Sequence, residues 1–146
     1  MVKAKEFLSC LCEEHNYRFF TGFPCEGLIP IYNAMSSDFM HYIPAVNEQI
    51  AVGLANGAFI AGEKSIVLMD ARAVMKVDFS FNIDMYIPIV CIVYGTEKDI
   101  DYTDAFNVFN FSYYEGSTAF EYLSKSKKII NIVLLEEGAV VWSGFQ

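Results

Sequence analysis

The residue best suited to chemistry is a single carboxylate. Glu48 heads the stretch PAVNEQIAVGLANGAFIAG, residues 44–62, in which nearly everything else is small or apolar. A carboxylate at the edge of a core can share a proton with a weakly basic partner. Burial there would raise its pKa, whereas a helix N-terminus would lower it. An acid in a first helical turn can equally serve the helix dipole alone. Further polar groups follow the apolar run SIVLMD, where the chain reads DARAVMK from Asp70 to Lys76. Arg72 can hold an anionic group bidentately. Asp70 and Arg72 can also form a surface ion pair, which is worth little. Gly22 and Pro24 punctuate a turn in GFPCEG.

The other reactive side chains point to structure. Cys10 and Cys12 form a C-x-C pair with no second close pair to complete a zinc site. Two residues apart on a helix, they face different ways. With Cys25 and Cys91 they read as buried, reduced thiols. His15 and His41 stand alone in sequence, so no metal ligand set is expected. Neither G-x-G-x-x-G nor G-x-x-x-x-G-K-[ST] occurs, which removes the usual signatures of dinucleotide and P-loop binding.

Bulk properties exclude other classes. The formal net charge is -8, and the basic residues are scattered apart from KSKK at 125–128. Nucleic acid is therefore not an expected partner, and KSKK reads as a solvated helix end. No apolar run approaches the ~20 residues of a membrane span. The apolar part of the first residues is interrupted by Glu6 and Ser9, unlike a signal peptide. A cytoplasmic location is the expectation. With 54% hydrophobic and 19% charged residues, the 146-residue chain can build a substantial core, and one domain over 1–146 is expected.

The elements that must position Glu48 follow from pattern. Residues 3–15 have helical spacing, and YRFFTG at 17–22 is a strand ended by Gly22. Residues 26–35 suit a short helix, and FMHYIP at 39–44 a strand stopped by Pro44. Asn47 is a natural N-cap for a helix over 47–61. Its small residues, Ala51, Ala55, Ala58, Gly53 and Gly57, allow close approach of another helix or a sheet. SIVLMD at 65–70, IPIVCIVYG at 87–95 and IINIVLLE at 129–136 read as buried strands, near-continuously apolar as parallel strands are. Residues 73–86 and 117–126 read as helices. The acidic, aromatic stretch 96–115 shows no clean period and reads as a long loop with a partial helix. Alternating strands and helices predict an α/β, three-layer domain with a mainly parallel, doubly wound sheet. Ligands of such sheets collect at the carboxyl ends of strands. Gly22–Glu26, the Pro44–Glu48 corner and Asp70–Ala73 lie there.

TGFPCEGLIP, then PAVNEQIAVGLANGAFIAGEKSIVLMD, then YIPIVCIVYG resemble the pyrimidine-binding domain of thiamine-diphosphate enzymes. The likeness runs over most of residues 18–95. It is nearest to the α subunit of sulfopyruvate decarboxylase and the matching half of phosphonopyruvate decarboxylase. Its most specific part is N-E-x-x-A-x-x-x-A-x-G-A-x-x-A-G followed directly by a buried strand.

The resemblance implies a flavodoxin-like strand order and a role for Glu48. This glutamate would hydrogen-bond a ring nitrogen of the cofactor's aminopyrimidine and so prime the thiazolium carbon for attack on a 2-keto acid. It also implies that Gly22 and Pro24 lie near the cofactor, with Asp70 beside them and Arg72 and Asp70 as substrate-group candidates. The chain lacks the family's G-D-G and N-N set for diphosphate and magnesium. The resemblance therefore implies a partner chain with the complementary diphosphate-binding domain, in a hetero-oligomer built on dimers of the pyrimidine-binding domain. Phe106, Phe109, Phe111, Tyr113 and Tyr114 are candidates for its interface or for the core. Where family decarboxylases carry Q-N-S-G-x-G-N, this chain has DARAVMK. That departure sets beside the decarboxylase, or related carboligase, a second reading: an interaction or regulatory subunit that keeps the fold without the substrate loop. A free-standing flavodoxin-like ligand-binding domain is a third.

Overall fold

Three of the apolar runs lie side by side at the centre of the computed structural model, which describes residues 2–35, 40–100, 105–111 and 118–141. Strands β1 Val2–Lys3, β2 Tyr17–Gly22, β3 His41–Pro44, β4 Lys64–Asp70, β5 Ile89–Tyr94, β6 Phe106–Asn110, β7 Ile130–Leu135 and β8 Val140–Val141 alternate with helices. The helices are α1 Ala4–Ser9, α2 Ile29–Ala34, α3 Glu48–Ile60, α4 Ala71–Val74, α5 Ser80–Met85 and α6 Thr118–Ser124. Six strands form one sheet in the order β3-β2-β4-β5-β7-β6, and every pairing in it is parallel. Among the described residues, no helix is long and apolar enough to cross a membrane.

Side chains alternate across each strand, so a strand buried on both faces feeds two cores. Ile66, Leu68, Val90, Ile92, Val133 and Leu135 face one layer with Phe7, Leu8 and Leu11 of the first helix and Phe120 and Leu123 of α6. Val67, Met69, Cys91, Val93, Ile132 and Leu134 face the other, with Ala51, Val52 and Ala55 of α3 and Val74 of α4. The sheet is thus covered on both faces, as the alternating pattern predicts.

The small residues of α3 divide between two environments. Ala51 and Ala55 are buried against the sheet, whereas Gly53 and Gly57 lie on the outer side, where an added Cβ would meet no atom within 4 Å among the described residues. Asn56 and Asn82 form a buried reciprocal amide pair at 3.1 and 2.8 Å, tying α3 to α5.

The structure differs from the sequence expectation in three places. The stretch read as a loop contains β6, an edge strand paired to β7. Phe106 and Val108 pack toward one core and Phe109 and Phe111 toward the other, with Asn107 and Asn110 between them. Apolar side chains on both faces, interleaved with asparagines, mask the two-residue period. Phe109 and Phe111 are core residues, 4% and 2% exposed. Tyr113 and Tyr114 lie outside the described residues. The helix expected over 73–86 is split into α4 and α5, and the first helix continues beyond α1 as a π-helical turn, Cys10–Glu14.

Candidate functional site

Because all six strands run the same way, their carboxyl ends lie together. The register sets Gly22 opposite both Pro44 and Leu68, Asp70 opposite Tyr94, and Tyr94 opposite Leu135. The first turn leaves the sheet at Gly22. A side chain there would run into the backbone of Leu68, so only glycine lets β2 end this close to β4. The Gly22 carbonyl accepts from Ala45 N–H at 2.9 Å, which pins the β3–α3 corner to the end of β2. Thr21, one residue earlier, is fully buried, and its hydroxyl has no partner among the described residues.

At the head of α3 two of three consecutive polar side chains are committed to structure. Asn47 Oδ1 accepts from Ile50 N–H at 2.8 Å and caps the helix. The Gln49 amide pairs with the backbone of Asp78, accepting from its N–H at 2.8 Å and donating to its carbonyl at 3.0 Å. Glu48 lies between them, half-buried, with no hydrogen-bond or ion-pair partner among the described residues.

The thiol of Cys25 lies within electrostatic reach of both predicted acids, Asp70 and Glu48. Burial is the main cause of its raised pKa, and the charges of Asp70 and Glu48 both push it further up, while N–H groups of Gly27 and Leu28 oppose them. The Cys25 N–H donates to the Tyr32 hydroxyl at 3.3 Å, fixing the turn against the Tyr32–Tyr42 ring pair. Tyr94 closes the group from β5. Its phenol is raised by burial and by the charges of Glu137, Cys25, Asp70 and Glu26. Gly27 makes room for that ring, since any side chain there would occupy the ring's space. Beyond Tyr94 a cleft of about 350 Å³ opens between Gly27 and the Glu136–Gly138 turn.

Of the residues singled out in the sequence, Gly22, Pro24, Glu48 and Asp70 come together at this edge. Arg72 does not join them. Asp70 Oδ1 accepts from Arg72 N–H at 2.9 Å and caps the short α4, and the Arg72 side chain is 82% exposed, 3.7 Å from that same oxygen. Such a solvated pair contributes little to stability. Sequence reasoning passed over Cys25, Gln49 and Tyr94. Cys25 had a legible signal, its place one residue after the Gly22–Pro24 turn. Gln49 and Tyr94 had none, because their roles depend on segments far along the chain.

Neither protein-family models nor curated proteins yield a match. Solved structures do. The chain is similar to a chain of the 2-oxoglutarate:ferredoxin oxidoreductase from Magnetococcus marinus, solved with 2-oxoglutarate, coenzyme A and succinyl-CoA bound. The TM-score is 0.69 at 12% identity, over 96% of this chain and 30% of that one. At this identity the likeness is one of fold, and the chain spans under a third of its neighbour's length.

Proposed function

We propose that this chain is the pyrimidine-binding half of a two-chain, thiamine-diphosphate-dependent enzyme acting on a 2-keto acid, with Glu48 as the residue that meets the cofactor's aminopyrimidine. The observation that carries the reading is the unpartnered, half-buried Glu48 between Asn47 and Gln49, whose side chains hold the backbone in place. A carboxylate that neither caps its helix nor pairs with a cation is available to a ligand. Two further facts agree. The residues resembling pyrimidine-binding domains are those that build this edge, and the structural neighbour binds 2-oxoglutarate, itself a 2-keto acid.

The group fits in part. Glu48 offers an acceptor for a ring nitrogen, and the turn at Gly22 and Pro24 brings backbone close without bulk. The diphosphate does not fit here, because Glu26, Asp70, Glu136 and Glu137 cluster around the same edge and Arg72 turns to solvent. Diphosphate and magnesium therefore belong to a partner chain with the complementary domain. Phe23, Ile43, Val46 and Ile50 are exposed near Glu48, Val46 by 76%, and give that partner an apolar rim to cover.

When bound, the cofactor supplies an electron sink at the carbonyl carbon of a 2-keto acid, which suits decarboxylation and carboligation alike. The Glu48 side chain would hydrogen-bond a ring nitrogen of the bound aminopyrimidine and so favour its reactive tautomer. Cys25, its pKa raised from 9.0, gives Glu48 an uncharged neighbour at neutral pH, and Tyr94, raised from 10.0, does the same toward Cys25 and Asp70. The carboxylates around this edge repel an anionic substrate, so its carboxylate must be held by cations of the partner.

The test is reconstitution with a chain carrying the G-D-G and N-N set. Cofactor-dependent carbon dioxide release is expected, and Glu48→Gln should abolish it with assembly intact. Full rate in the variant would sink the role of Glu48. The non-catalytic reading is favoured by one observation, that Asp70 is engaged as a cap while Arg72 is solvated. Calorimetry of the complex with thiamine diphosphate and magnesium separates the two, since a regulatory subunit would retain no cofactor.

A further inference from the structure

At the opposite, amino end of β2, a second group of reactive side chains converges. The Cys10 Sγ, a Glu14 carboxylate oxygen and an imidazole nitrogen of His15 all lie within 4.8 Å of one another. The cause is local. Cys10–Glu14 winds as a π-helical turn, with hydrogen bonds reaching one residue further than in an α-helix. In an α-helix a residue five positions on is carried well off the face of the first. The wider π turn returns positions i+4 and i+5 to either side of position i, so Glu14 and His15 flank Cys10.

The arrangement is braced from outside. The His15 carbonyl accepts from Lys64 Nζ at 2.7 Å, and its imidazole packs on the Phe120 ring at 5.7 Å. Asn16 follows with φ 63°, a left-handed residue that turns the chain sharply into β2. The Cys10 thiol already donates to Glu14 Oε2 at 3.3 Å. Burial, that hydrogen bond, and the charges of Glu14 and then Glu121 push the thiol up to about 12. Glu121 belongs to α6, so a second element adds negative charge around the sulfur.

We propose that Cys10, Glu14 and His15 form a three-ligand site for zinc, independent of the site at Glu48. Thiolate, imidazole and carboxylate are the donors zinc prefers, and three protein ligands leave a fourth position for water. Zinc–sulfur and zinc–nitrogen bonds of ~2.3 and ~2.0 Å place ligand atoms of one tetrahedral ion roughly 3.3–3.8 Å apart. Three atoms already within 4.8 Å reach that spacing by small side-chain rotations. On binding, the Sγ proton passes to solvent as the zinc–sulfur bond forms, and the two acids offset the ion's charge.

The experiment titrates the reduced full chain with zinc, and with cobalt(II) as a spectroscopic probe. One equivalent of zinc per chain is expected, with cobalt giving a sulfur-to-metal charge-transfer band. Cys10→Ser should remove that band and weaken zinc by about tenfold or more, at least the loss seen when outer-shell partners of metal ligands are removed. Glu14→Gln, at an exposed position, and His15→Gln, at a partly buried one, should each weaken zinc while circular dichroism stays unchanged. Cys12→Ala, altering a buried thiol outside the cluster, should keep the band. Absence of saturable zinc binding, a band that survives Cys10→Ser, or unchanged affinity in both Glu14→Gln and His15→Gln would overturn the assignment.

Discussion

The Gly22 carbonyl and the Ala45 amide are joined at 2.9 Å, and this single bond links the end of β2 to the corner that leads into α3. Gly22 also abuts the Leu68 backbone, so one residue sets the spacing of three strand ends. Glu48 owes its place to that junction. The helix that carries it starts three residues after Ala45, and its first turn cannot move unless the strand ends move.

Gly22→Ala should therefore destabilise the chain and disturb the site together. Its new Cβ meets a backbone carbonyl rather than a flexible side chain. Overpacking of this kind costs about 1–3 kcal/mol. Urea unfolding should show the loss as a lower midpoint with an unchanged slope. An unaltered midpoint would mean that β2 and β4 separate without cost.

Asn47 and Glu48 should separate by stability. Removing the Asn47 cap in Asn47→Ala leaves the Ile50 N–H without its acceptor and should cost about 1 kcal/mol. Glu48→Gln gives up only a favourable interaction with the helix dipole, about 0.3–1 kcal/mol at an accessible position. Thermal unfolding of the two variants should rank Asn47→Ala as the more damaging. The reverse order would show that Glu48 holds the helix start, and its availability to a ligand would lose its basis.

The parts legible in the sequence were those whose signal is local or periodic. SIVLMD, IPIVCIVYG and IINIVLLE announce themselves because parallel strands buried on both faces need apolar residues without a break. Asn47 announces α3 because capping is a one-residue property. β6 was hidden, since FNVFN feeds two cores at once and commits Asn107 to lateral bonds with Ser126 and Asn131. The cluster of Cys10, Glu14 and His15 was hidden for a different reason. Its spacing of four and five residues suits a π turn and not the α-helix that the pattern implies. Of the candidate site, Glu48, Gly22 and Asp70 were legible by position relative to strand ends. The bond of Gln49 to Asp78 spans 29 residues and left no trace in either segment.

Alkaline pH should unfold this protein through its thiols. Burial raises Cys91 to about 12 from an ordinary value of 9.0, and Cys12 to about 11. Cys10 also reaches about 12, through burial and its hydrogen bond to Glu14. Between 9.0 and about 12 the unfolded chain has lost protons that the folded chain retains, so stability falls as pH rises through that window. Burial lowers Lys64 below 10.5, which acts in the opposite sense, but Cys25, Tyr17, Tyr32, Tyr42 and Tyr94 are all raised, chiefly by burial, and act together with the three thiols. Fully buried Cys91 alone should contribute a slope of about 1.4 kcal/mol per pH unit where its proton numbers differ by one. Denaturant midpoints measured across this range should decline for the native chain and decline less steeply for Cys91→Ala. Equal slopes in the two proteins would mean that the Cys91 thiolate is tolerated in the sheet, contrary to the dry packing of Ile132 and Val93 around it.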